Sequence, residues 1–114
     1  MPQPQPDRRR APRAQADFPI RLTEVADASP ARLKDISEIG LCCVSENPLD
    51  EMTLLGIDLK LPGAQIAHRV KGAVVRCEPM PKGEKGYEIA VYFTEVPETT
   101  RGALRQYVAV SRPA

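Results

Sequence analysis

Apolar and polar side chains alternate with a period of two along most of this chain. Phe18, Ile20 and Leu22 are separated by Pro19, Arg21 and Thr23, the pattern of a strand with one face buried. Pro19 lacks the N–H that a central ladder uses, so it places this strand at an edge or near a strand start. After a turn at Asp27-Ala28-Ser29-Pro30, Ala31, Leu33 and Asp35 share one face, with Arg32, Lys34 and Ile36 opposite. A corner at residues 35–40 breaks that strand, and residues 41–45 resume as another. Residues 46–53 form a loop with Asn47-Pro48 as its turn signal. Leu55, Ile57, Leu59 and Leu61 against Asp58 and Lys60 make the cleanest alternation, ended by Pro62-Gly63.

A long strand follows over residues 66–77, and Gly72 inside it marks a bend or bulge. Strict alternation puts Val70, Val74 and Arg76 on one face and Ala73, Val75 and Cys77 on the other. Residues 79–86 are a polar hairpin loop. Tyr87, Ile89, Val91 and Phe93 then alternate with Glu88, Ala90 and Tyr92. From Pro97 the period changes. Glu98-Thr99-Thr100 offers cap residues and an acidic first turn, and Leu104, Tyr107 and Val108 recur at helical spacing. The expectation is an all-β fold: a small six-stranded antiparallel barrel with a short C-terminal helix.

Ahead of the first strand the composition shifts. Pro2, Pro4 and Pro6 alternate with polar residues, and Arg8, Arg9, Arg10 and Arg13 follow closely. Without apolar periodicity, residues 1–16 are expected to be a flexible arm that a ligand could order, and residues 17–112 the barrel domain. The formal net charge is only +1 over 114 residues. Positive charge is therefore local, which favours a specific anion over a long nucleic-acid track. Three cysteines, Cys42, Cys43 and Cys77, make an odd count with no C-x-x-C spacing. That disfavours a disulfide framework or a zinc site and suits a reducing compartment. No apolar run reaches the ~20 residues of a membrane helix, and the N-terminus has no signal core; a cytoplasmic protein is expected.

Two motifs carry candidate chemistry. Arg9 to Arg13 is R-x-x-x-R. Asp35-Ile36-Ser37-Glu38-Ile39-Gly40 is D-x-S-x-x-G. Arginine forks bind phosphate oxygens bidentately, read the O6/N7 edge of guanine, or stack on a base. An aspartate accepts the donors on guanine's other edge, and a serine hydroxyl both donates and accepts. Glycine permits positive φ and close approach of a ligand. A guanine nucleotide with two phosphates would use all of these groups. Singly, each motif also has an ordinary reading: a solvated basic run for the arm, and a turn bonding its own backbone for the hexapeptide.

Together, and in this order, they resemble the PilZ family of cyclic di-GMP (cyclic diguanylate) receptors. The resemblance continues through residues 41–44, 55–62, 70–76 and 86–93 and the terminal helix. It implies that Arg9 and Arg13 clamp phosphates and engage guanine, that Asp35 reads a guanine edge, and that Ser37 and Gly40 complete the pocket wall. Arg8 would favour an intercalated ligand dimer, with Arg10 assisting. Arg76 is either one wall of that pocket or a solvent-facing strand residue. The implied protein is a bacterial switch, not an enzyme, that needs no cofactor and signals to a partner protein in motility, pili, polysaccharide export or biofilm control.

Two other readings stand beside it. One is a PilZ-like adaptor of pilus or motility machinery that binds no nucleotide. The other is a barrel binding RNA or single-stranded DNA through the arm. The latter normally needs exposed aromatic platforms, whereas the three tyrosines and two phenylalanines here, with no tryptophan, are mostly expected in the core. His68, the only histidine, has no acidic neighbour in sequence and reads as an ordinary strand side chain. Cys42 and Cys43 should face opposite sides of their strand. Phosphate loops, nucleophile elbows and acid–histidine pairs are not found.

Overall fold

The computed structural model describes residues 13–24 and 30–111. Their elements are β1 (Ala14–Gln15), β2 (Pro19–Thr23), β3 (Pro30–Ile36), β4 (Gly40–Ser45), β5 (Leu54–Leu59), β6 (His68–Pro79), β7 (Tyr87–Glu95) and the helix α1 (Glu98–Val110). All strand pairs are antiparallel. The sheet runs β1-β3-β2-β5-β6-β7-β4, and a further β3–β4 pairing closes it. The result is a six-stranded closed barrel with β1 as an extra strand on β3. Closure removes the open edges that an antiparallel sheet would otherwise expose.

Inside lie Leu33, Ile36, Leu41, Cys43, Leu55, Ile57, Val70, Val74, Ile89 and Val91, all buried. The register sorts them into rows. Leu33–Cys43–Ile89–Cys77 and Ile36–Leu41–Val91–Val74 run across β3, β4, β7 and β6 on the inner face. Helix α1 packs Leu104 into the same core and sets Ala103 and Tyr107 against it. Its Arg105 donates to both carboxylate oxygens of Glu38 (3.4 and 3.2 Å), in the turn between β3 and β4.

Several local readings change. The backbone pairs before residue 17: Ala14 and Gln15 bond opposite Ile36 and Asp35, because Ala14 buries its methyl completely. Arg8, Arg9 and Arg10, with the rest of residues 1–12, lie outside the described residues. The helix starts at Glu98 behind Pro97, with no side-chain cap. Thr100 turns inward instead and shares a 2.8 Å hydrogen bond with Nδ1 of His68. Both Cys42 and Cys43 are buried. As expected, they face opposite sides of β4: Cys43 is in the core, and Cys42 is on the outer face under the Glu88 carboxylate.

The largest departures are two β-bulges. In β3 the register against β4 shifts between Leu33 and Asp35, so Lys34 is an extra residue. In β6 the register against β7 shifts between Val74 and Arg76, so Val75 is extra. Each bulge reverses the expected faces downstream of it. Asp35 leaves the Leu33 face and Ile36 goes inside; Arg76 leaves the Val74 face and Cys77 turns toward the core. A third shift, at Lys71/Gly72, leaves Thr94 of β7 as the extra residue, so the irregularity expected in β6 at Gly72 falls on its partner strand.

Candidate functional site

With Asp35 and Arg76 both turned outward, one row on the barrel surface reads Gln15–Asp35–Cys42–Ala90–Arg76. Asp35 and Arg76 are three strand spacings apart, about 14 Å along the sheet. Between them are only Cys42 and Ala90, two small side chains. This leaves a cleft of about 370 Å³. Arg13 and Asp35 bound one side of it and Arg76 the other. Glu88 lies along it, and Ile39, Val75 and Tyr92 make its apolar end.

Arg13 and Asp35 are already joined. Nε and Nη2 of Arg13 both reach Oδ1 of Asp35, at 2.9 and 2.7 Å. With side chains 41% and 23% exposed, such a pair contributes no more than about 1 kcal/mol. A polyanionic ligand could therefore exchange with it at small cost. Among the described residues, Arg76 makes only a loose contact, 3.8 Å from Glu78.

The second carboxylate, Glu88, is held from the opposite direction. Lys34, the bulged residue of β3, donates to Glu88 Oε2 at 2.6 Å. The Cys42 thiol lies 3.5 Å from the same oxygen. That lysine hydrogen bond keeps the Glu88 carboxyl below the usual carboxylate range and raises the lysine in turn. Burial first, then the negative charges of Glu88 and Asp35, push the Cys42 thiol up to about 11. The floor of the cleft thus carries a protonated thiol, not a nucleophile.

Ser37 is not part of the lining. It is fully buried, and its Oγ donates to the Gly40 carbonyl at 3.3 Å and accepts from the Ile39 N–H at 3.2 Å. It fastens the turn that aims Asp35. Gly40 does line the cleft, but its φ is not positive. Its role is close approach: a Cβ there would stand 2.4 Å from the Val91 carbonyl oxygen. The structure therefore brings Arg13, Asp35, Gly40 and Arg76 to one cleft and leaves Ser37 behind it. Sequence reasoning missed Glu88, Ile39, Val75 and Tyr92. The available signal was an aromatic, Tyr92, at a polar-face position of β7.

The family model that matches this chain is the PilZ domain, over residues 7–110. The chain belongs to the PilZ domain family. A search of curated proteins gives no match. Among solved structures, the Bacillus subtilis inhibitor of motility MotI/DgrA superposes with a TM-score of 0.78 at 18% identity, covering 95% of this chain and 51% of that one. The PilZ domain of YcgR from Escherichia coli, solved with c-di-GMP, gives 0.68 at 20% identity over 90% and 89% of the two chains. The K. pneumonia MrkH–c-di-GMP complex gives 0.71 at 16% identity over 96% and 52%. The chain spans about half the length of the MotI/DgrA and MrkH chains. Among the described residues, no helix is long and apolar enough to cross a membrane.

Proposed function

We propose that this chain is a receptor for cyclic di-GMP and that its ligand-bound surface is read by a partner protein. The observation that carries the reading is the Arg13–Asp35 pair at the rim of a cleft with Arg76 across from it. A cyclic dinucleotide offers phosphates to Arg13 and guanine N–H donors to Asp35, so one molecule replaces both halves of the existing pair. Arg9 would complete the phosphate clamp, and Arg8 and Arg10 would serve a second, intercalated ligand. Family membership and the two relatives solved with c-di-GMP support the reading. So does the name of the Bacillus subtilis relative, an inhibitor of motility, for an output in motility. The proposed role is that of a switch, with no chemical step.

Calorimetric titration of cyclic di-GMP tests it, beside an Arg9→Ala/Arg13→Ala variant and a GTP control. The expected outcome is binding in the micromolar range or tighter, about −8 kcal/mol or better, lost in the variant and not shown by GTP. The ligand-to-protein ratio reports on Arg8: two per site for an intercalated dimer, one without it. A folded wild type that gives no heat overturns the receptor reading in favour of a protein-binding adaptor.

A further inference from the structure

The apolar end of the cleft has a feature that the arginine and aspartate contacts do not use. Tyr92 is 54% exposed, with Ile39 at 40% and Val75 at 51% beside it. An aromatic on a strand normally packs against a bulky cross-strand neighbour. Here the register gives Tyr92 only Gly40 on β4 and Ala73 on β6, so a methyl is the largest group opposite it. One pair of rings does meet elsewhere: Phe18 and Tyr107 lie edge to face at 6.5 Å and 87°. Two residues along the same face of β7, Ala90 supplies the open floor between Asp35 and Arg76. The aromatic ring therefore stands at one end of a cleft whose other groups suit phosphate and a base edge.

We infer that Tyr92 is a stacking platform for a nucleobase of the bound dinucleotide, with Val75 and Ile39 shielding the stack from water. The inference rests on the receptor reading above and deepens it. The polar side of the cleft takes phosphate and a base edge, and an arginine fork can cover one face of a purine, which leaves the opposite face with no partner there. Tyr92 supplies the missing π-surface, and a stack is insensitive to the hydroxyl. A structural alternative is built into the same geometry: an aromatic opposite a strand glycine can simply cover that glycine. In that case the ring would matter to folding and not to the ligand.

Three variants separate these cases by cyclic di-GMP titration and thermal melting. Tyr92→Ala should bind about ten- to a hundredfold more weakly, the range that loss of one base–aromatic stack gives, while Tyr92→Phe binds like the wild type. The chain has no tryptophan, so Tyr92→Trp installs a single indole whose emission should be quenched at saturating ligand. If the wild type binds but Tyr92→Ala binds within threefold of it, or the indole emission does not respond at saturation, the platform is wrong and the receptor reading survives. A lower melting temperature with unchanged affinity assigns the ring to covering Gly40. If the wild type itself does not bind, the receptor reading fails and takes this inference with it.

Discussion

Strands β5 and β3 line the same core and follow opposite rules. In β5 every residue from Leu54 to Leu59 pairs in unbroken register with β6, and Leu55, Ile57 and Leu59 point inward in turn. In β3 the alternation holds to Leu33. Then Lys34 is inserted, and two successive charged side chains, Lys34 and Asp35, face outward before Ile36 returns to the core. β6 repeats the device with Val75 and Arg76. An unbroken strand can present only every second residue to its outer face. A bulge concentrates two there, and both bulges in question flank the cleft. The regular strand builds the barrel, whereas the bulged strands aim the site.

The widest separation between the two kinds of strand should appear in paired substitutions. Ile57 is fully buried in β5, so Ile57→Ala should cost about 2–5 kcal/mol through lost burial and a residual cavity. Asp35→Ala in β3 should change stability by less than about 1 kcal/mol, since its partner Arg13 is well exposed. Urea unfolding midpoints measure both. Binding should reverse the order: Asp35→Ala abolishes the calorimetric response to cyclic di-GMP, and Ile57→Ala keeps it at temperatures where it is folded. If Asp35→Ala proves as destabilising as Ile57→Ala, the bulge is a structural element and the division fails.

A smaller effect tests where the two roles meet. Gly40 begins β4, faces the cleft and lies against β7. A methyl there meets a backbone carbonyl, which has no rotamer to yield. Gly40→Ala should therefore cost about 1–3 kcal/mol by overpacking. At Gly102 in α1, a methyl would meet nothing within 4 Å. There the same change should stabilise by about 0.5–1 kcal/mol through helix propensity. Thermal melts of the two variants should move in opposite directions. The final glycine of D-x-S-x-x-G would then be explained by strand packing rather than by turn conformation.

This contrast also explains what could be read from the residues alone. The hydrophobic rows of β2, β5 and β7 follow from period two, because nothing interrupts it before Thr94, near the end of β7. The helix was visible from Leu104, Tyr107 and Val108 through the change of period. Asp35 was visible as a motif member, but its direction was not: Ile36 and Asp35 exchange faces through one extra residue that no local residue type announces. Arg76 was undecidable between pocket wall and solvent for the same reason. Ser37 looked like a ligand group, since a hydroxyl serves a turn and a phosphate equally well. Only its complete burial and its bonds to Gly40 and Ile39 assign it to the turn. Glu88 and Tyr92 could not be placed because they join the site through register, β7 against β4 and β6, and not through proximity in sequence.

The smallest expected difference is electrostatic, and it compares an ion pair that a bulge creates with one that plain register supplies. Lys34–Glu88 exists because Lys34 is the extra residue; Asp58–Arg69 joins direct cross-strand neighbours of β5 and β6. In both pairs a hydrogen bond from the cation holds the carboxyl below its ordinary value. Each carboxylate therefore contributes stability that is complete above about pH 4.5 for Glu88 and pH 3.8 for Asp58 and is lost as pH falls through the lower, folded value. Lys34 behaves conversely: its folded value is raised, so its share is complete below pH 10.5 and is lost as pH rises through the folded value. Stability curves measured from pH 6 to 2 should be shallower on the acid side in Glu88→Gln and in Asp58→Asn, each by a few tenths of a kcal/mol given the exposure of both pairs. Added salt should erase the Asp58 effect first. Glu88 also accepts from the Cys42 thiol and lies in a concave cleft, where screening is weaker. Equal salt sensitivity in the two variants would mean that the bulge contributes position alone, and that the cleft gives its charges no more protection from solvent than the open face of β5 and β6.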